Sequence, residues 1–466
     1  MILKFTKFNY QNPYRLLCGG MFFIFTLCLG LLITLYKYES DSAVLLSLGL
    51  CTAFLFITVL LYNLFASFLI ITLLRPILFY LEIPINPNLN ISLEGFVSII
   101  IIIIGYIYIL RNLKIILKLP SFTPLFLFFI YSSFGYLYVE GEAEFLIKLM
   151  RIASYLSIYG VLTDTMNSWK RVKTLVVVII LSYCIFFVAG VLQYQRYDIY
   201  ALEVIGITSK NTFGILTALL SLFLIGMRTT RIKKSMSLLE NSLFIMPMIL
   251  VLIMSYTRTA WLGFISGFFV ILLYLRRIKF VISHLVMVSS LLFLLWPLIS
   301  IGIKDLKEIK LYPKDHYSSS LEGRAFLYFP QAIENWKEKP ILGHGLGSTK
   351  NLTILAPIVQ KPPHNEYLQM LQEVGLIGIL FYFYFLWSNF TPLYRGLRSK
   401  SLKEGDKLRG VLIGCLAVFL ALIVMSITQE TFSNGTIGSY YISLVSAGHA
   451  AYLLEEKQYN QKKEGS

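Results

Sequence analysis

Charged residues are scarce in this chain, as are the residue types that build most metal and catalytic centres. Only 14 % of its 466 residues are Asp, Glu, Lys or Arg, and it has five histidines and five cysteines. Cys18, Cys28, Cys51, Cys184 and Cys415 lie in or beside apolar runs with no CxxC or paired spacing. They read as small core residues rather than disulfide partners or ligands. His316, His344, Asp305 and Asp315 are scattered, and His364-Asn365-Glu366 is not a zincin motif, so no metal site is expected. The Gly-rich stretch Pro340–Ser348 lacks the Lys-Ser/Thr pair that follows the glycine of a phosphate loop, which excludes that kind of nucleotide site. No Gly-x-Ser-x-Gly elbow is present, although a serine triad can form without one. Neither an internal repeat nor an inverted pair of broken helices is visible.

Apolar residues are what the chain has in excess. They make up 57 % of it, with a mean hydropathy of +0.71, above the share of about 45–50 % usual for soluble domains. They come in continuous runs of about 20, the length that spans a bilayer as helix, and not in the alternating segments of a barrel. The net charge of +16 would suit nucleic acid. The Lys and Arg residues fall instead in short clusters between apolar runs, the pattern that orients a membrane protein, so no nucleic-acid partner is expected. The first run, about Leu16–Tyr36, is too long for a signal peptide and reads as a retained helix.

Taken in order, the runs predict an all-α polytopic membrane protein of about 12–14 transmembrane helices. The ambiguity lies in Ala43–Leu81, interrupted at Arg75-Pro76, where a turn near Tyr62-Asn63 would make two spans. Thereafter basic segments (Arg111–Lys118, Lys170–Lys173, Arg228–Lys234, Arg276–Lys279, Arg395–Arg409) alternate with acidic or polar ones. The second set comprises Glu140–Glu144, Gln193–Ser209, Thr257–Thr259, a large loop and Gln429–Gly435. Basic loops on the cytoplasmic side place the large loop outside and both termini inside. The expected division is an N-terminal bundle 1–300, an extracytoplasmic loop 301–375, C-terminal helices 376–454 and a charged tail 455–466.

The large loop is the main polar island and holds three of the five histidines. His364 follows Pro362-Pro363 and precedes a helical pattern through Tyr367, Leu371, Val374 and Gly378. An imidazole at the positive end of a helix dipole is favoured in its proton-accepting form, which suits a general base; the structural alternative is a loop histidine bonded to backbone. Arg258, in Ser255-Tyr-Thr-Arg-Thr-Ala-Trp-Leu262, stands at the outer end of a span, where a cation either marks a substrate path or snorkels to headgroups. Arg324, in Glu322-Gly-Arg-Ala-Phe-Leu-Tyr328, says little alone. Together, two guanidinium forks and a neutral imidazole match phosphate oxygens and a hydroxyl to be deprotonated. Gly343, Gly345 and Gly347 could add a nest of backbone N–H groups for an anion, or form a plain turn.

These residues carry a resemblance. His364-Asn365, nine residues, then Gly375-Leu-Ile-Gly378 is similar to the signature of the O-antigen ligase and polymerase superfamily. Arg258 with Leu262 resembles its arginine motif, and Gly323-Arg324 followed by Lys339–Gly347 resembles the segment before its histidine. The motifs cover about 250–390. Lys210-Asn211, at the start of a helix, departs from the small residue or Pro that the family often has before Asn.

The resemblance implies a membrane-embedded, GT-C-like glycosyltransferase of the bacterial inner membrane, inverting and using neither metal nor cofactor. Its donor would be a glycan on undecaprenyl diphosphate, and its acceptor lipid A–core in a ligase, a lipid-linked repeat in a polymerase or a protein hydroxyl in a third group. His364, Arg258 and Arg324 would be catalytic, with Asn365, Tyr367 and the three loop glycines binding substrate. A transporter or flippase is the alternative from another class. It would need ionisable residues near span centres, where Arg75, Lys148 and Arg151 are among the few.

Overall fold

In hydrocarbon every backbone N–H and C=O must find a partner within the protein, so long apolar runs fold as helices. The computed structural model describes residues 63–80, 84–86, 91–139, 141–197, 210–229, 248–275, 328–350, 363–399, 402 and 406–464. Its helices are α1 (Leu64–Tyr80), α2 (Leu93–Arg111), α3 (Phe122–Phe134), α4 (Glu142–Thr165), α5 (Trp169–Tyr197), α6 (Lys210–Thr229), α7 (Arg258–Leu275), α8 (Phe329–Glu338), α9 (Glu366–Arg398), α10 (Lys407–Ser426) and α11 (Gly435–Glu464). Two short strands, Pro84–Asn86 and Ile91–Ser92, pair before α2. Among the described residues, four helices are long and apolar enough to cross a membrane: Glu142–Thr165, Asn211–Arg228, Glu366–Arg398 and Lys407–Ser426. Leu64–Leu73, Ser98–Arg111, Phe122–Leu137 and Arg258–Tyr274 are shorter apolar helices. The chain is an all-α polytopic membrane protein. Expectations for Leu16–Tyr36, Val281–Ser300 and the beginning of the large loop, with His316, Asp305, Asp315 and Arg324, lie outside the described residues.

Helix limits differ from the hydropathy reading where charged residues are good helix formers. The basic cluster Lys170–Lys173 sits in the first turns of α5, and Glu142 and Glu144 occupy the first turn of α4, where carboxylates face the positive end of the dipole. α11 continues through the charged segment to Glu464. Arg75-Pro76 lies within α1, whose start Asn63 caps with its side-chain oxygen, 3.3 Å from the Ala66 amide.

α10 is buried on nearly all sides and packs against α6, α7, α9 and α11. It approaches α6 tightly where Gly226 meets Gly414, so that a Cβ on either would collide with the other helix's backbone. Small residues at such a crossing let membrane helices gain van der Waals contact that apolar lipid alone would not drive. Cys415 is buried in this core and donates to the Leu444 carbonyl, and Cys184 is also a free thiol, as expected of small packing residues.

α9 is interrupted at Gly375 (φ +64°, ψ −169°), and the segment 340–345 fills the break. The Leu376 amide donates to the Pro340 carbonyl (2.9 Å) and that of Ile377 to Ile341 (3.3 Å). In return, the amides of His344 and Gly345 donate to the carbonyls of Gln372 (3.0 Å) and Glu373 (2.8 Å). Tyr131 of α3 donates to the Val374 carbonyl at 3.1 Å. A Cβ at Gly375 would run into the Ile341 carbonyl, and its φ disfavours any L side chain. Gly375→Ala is therefore expected to cost about 1–3 kcal/mol, read as a lowered unfolding temperature of the purified protein in detergent.

Candidate functional site

The turn that carries His364 is held from both sides. Asn365 caps α9, its side-chain oxygen accepting from the amides of Tyr367 and Leu368 at 3.0 Å each. His364 itself has φ +50°, one of two non-glycine residues in the left-handed region among the described residues. The other is Tyr256 (φ +49°), two residues before Arg258. Strain of this kind in non-glycine residues gathers at functional turns, and here it flanks both described members of the expected triad.

On the next turn of α9, the spacing Glu366, Gln369, Met370 and Glu373 puts one face against the protein, and all four residues are buried. The Glu366 carboxylate accepts from the Thr431 amide (2.7 Å), the Ser433 amide (3.1 Å) and the Ser433 hydroxyl (2.7 Å). Glu373 accepts from Lys148 of α4 (2.5 Å), the Thr349 hydroxyl (2.6 Å) and the Gln369 amide group (3.0 Å). A buried carboxylate is tolerable only when so supplied with donors.

The loop 427–434, between α10 and α11, gathers the neighbouring elements. Arg151 of α4 donates to the Ser433 carbonyl (3.1 Å), and Tyr155 donates to those of Phe432 (3.1 Å) and Asn434 (3.3 Å). Thr428 shares a hydroxyl hydrogen bond of 2.9 Å with Thr259, the residue after Arg258. Arg258 is the first residue of α7, and its side chain is exposed. One end of the bundle thus holds His364, Arg258, Lys148, Arg151 and the carboxylates of α9. Arg171, Arg398, Arg409 and their neighbours lie at the opposite helix ends.

Three expected substrate groups are engaged within the protein. The loop glycines do take left-handed φ (+73°, +93° and +80° at Gly343, Gly345 and Gly347), but as a docking turn. The Gly343 amide donates to Lys339, and those of His344 and Gly345 donate to α9, so these N–H groups are not offered to an anion. The Tyr367 hydroxyl donates to the Ile423 carbonyl at 3.0 Å, and the Asn365 oxygen is used in capping. His344 is a buried structural residue, its Nε2 2.8 Å from the Asn335 carbonyl. Arg324 lies outside the described residues. Sequence reading missed Glu366 and Glu373 at this site, although carboxylates seven residues apart on one apolar helix are a legible sign of a buried polar face. It treated Lys148 and Arg151 only as pointers to a transporter.

Glu430 in the same loop has an acid–base consequence. Burial pushes its carboxyl up to about 7; the attraction of Lys148 and Arg151 offsets part of this, while Glu366 and Glu373 add to it. Its folded-state value lies above the ordinary 4.5, so its contribution to stability is full below about pH 4.5 and is lost as pH rises to about 7. Thermal unfolding followed between about pH 5 and 8 should show a loss of roughly 1–3 kcal/mol. Glu430→Gln should flatten that slope and be the more stable form at the alkaline end.

No curated protein matches the chain. Residues 243–383 match the family model described as O-Antigen ligase. That stretch contains α7 with Arg258, the glycine turn, the His364 turn and the broken start of α9. The match and the motif order agree, and over this segment, just under a third of its length, the chain is similar to the O-antigen ligase family.

Proposed function

We propose that the protein is a glycosyltransferase that moves a glycan from undecaprenyl diphosphate to an acceptor hydroxyl at the outer face of the bacterial inner membrane, and that it acts as an O-antigen ligase with lipid A–core as acceptor. The observation that carries this reading is the convergence described above: loop 427–434 binds Glu366, two residues beyond His364, and also Thr259, beside Arg258.

In this reading the His364 imidazole takes the proton of the acceptor hydroxyl as its oxygen bonds to the anomeric carbon. The bond from that carbon to the diphosphate oxygen breaks, and the diphosphate leaves with the electron pair on its lipid. One displacement inverts the anomeric centre. Arg258, exposed at the start of α7, and Arg324 would hold the diphosphate and offset the charge it gains. The positive end of the α7 dipole adds to the same field. The large loop would face the periplasm, since the basic helix ends gather at the other end of the bundle.

The test is a reconstituted assay in which lipid-linked glycan is offered either lipid A–core or a second lipid-linked glycan. Product on the core supports the ligase; lengthening ladders of lipid-linked glycan would assign the protein to the polymerases instead. In the same assay His364→Ala should lower transfer by about 10²–10⁴-fold while still inserting in membranes. Arg258→Lys, which keeps the charge but loses the fork, should lower it by about tenfold or more. Full activity of membrane-inserted His364→Ala would sink the transferase mechanism.

A further inference from the structure

The matched family segment ends at residue 383, yet the turn that carries His364 is held by residues well beyond it. Glu366 is fully buried, and three of the hydrogen bonds to its carboxylate come from Thr431 and Ser433. Two are backbone amides and the third is the Ser433 hydroxyl, so the carboxylate grips the loop main chain as well as a side chain. The loop is in turn fixed to α4 by Arg151 and Tyr155, to α7 by Thr259 and, through Asn434 and Thr212, to α6. The path from Glu366 to Thr259 thus runs through one loop of eight residues, 427–434.

We infer that Glu366 is a positioning residue, and that its buried bonds to Thr431 and Ser433 set the distance between the His364 imidazole and the Arg258 guanidinium. The inference rests on the transferase reading. His364 sits in a left-handed conformation between Pro363 and the Asn365 cap, so the placement of its imidazole depends on what anchors the start of α9. Asn365 anchors that start to its own helix. Glu366 reaches across to the loop that also holds Thr259. A base misplaced by about 1 Å from its substrate can lose about a hundredfold in rate, so this bond set has leverage on turnover without touching substrate.

The test uses the purified full chain in lipid nanodiscs, with lipid-linked glycan as donor. It measures kcat, KM for the donor, and unfolding temperature. Ser433→Ala removes one of the three donors and leaves both backbone amides, so the fold should survive. It is expected to lower kcat by about three- to tenfold with donor KM within about twofold, and Ser433→Thr, which returns the hydroxyl, should recover most of the loss. Glu366→Gln keeps the shape but turns one acceptor oxygen into a donor facing donors, and a larger drop in kcat, about ten- to a hundredfold, is expected. Unchanged kcat in folded Ser433→Ala and Glu366→Gln, or a loss confined to KM, overturns the inference. With His364→Ala inactive, that result leaves the transferase reading standing. A fully active His364→Ala removes both.

Discussion

A helix broken inside a packed bundle must have its freed backbone groups satisfied by something else, and in this protein that constraint ties the site to the bundle. The break at Gly375 exposes the carbonyls of residues 372–374 and the amides of 376 and 377, and each finds a partner in segment 340–345 or in Tyr131. Peptide groups buried there without partners would each cost several kcal/mol. The glycine turn is therefore not an appendage of the loop: it completes α9, and α9 in turn places His364 and the polar face behind it.

The same economy governs the charges. Lys148 and Arg151 project from the N-terminal half of α4 into protein, the first onto the Glu373 carboxylate and the second onto the Ser433 carbonyl. Buried ions are held only where partners and hydrogen bonds meet them together. The result is a floor of interlocked polar groups spanning α4, α9 and loop 427–434. Arg258, by contrast, remains exposed at the start of α7, which the proposed diphosphate contact requires.

Much of this was legible from residue order. The apolar runs gave the helical membrane class, and His364-Asn365 before a helical pattern marked the start of α9, with Asn365 as its cap. Arg258 was correctly placed at a helix end. The glycines of the Lys339–Gly347 segment were read as a nest or a turn, and the turn is what the backbone shows for Gly343 and Gly345. The two readings could not be separated earlier because left-handed φ is common to both, and only the direction of the N–H groups tells them apart.

Composition and periodicity alone determined that the chain lies in a membrane as helices, because burial of apolar runs and of backbone depends on local content. Which groups meet was decided only by packing. Glu366 and Ser433 are 67 positions apart, and Lys148 and Glu373 are 225 apart. Nothing in either neighbourhood fixes the partner, since a carboxylate on a helix is equally compatible with water, a cation or a distant backbone amide. The partner was settled by the crossing of α9, α10 and α11, which carries loop 427–434 over the start of α9 and brings the Thr431 and Ser433 donors to the Glu366 carboxylate.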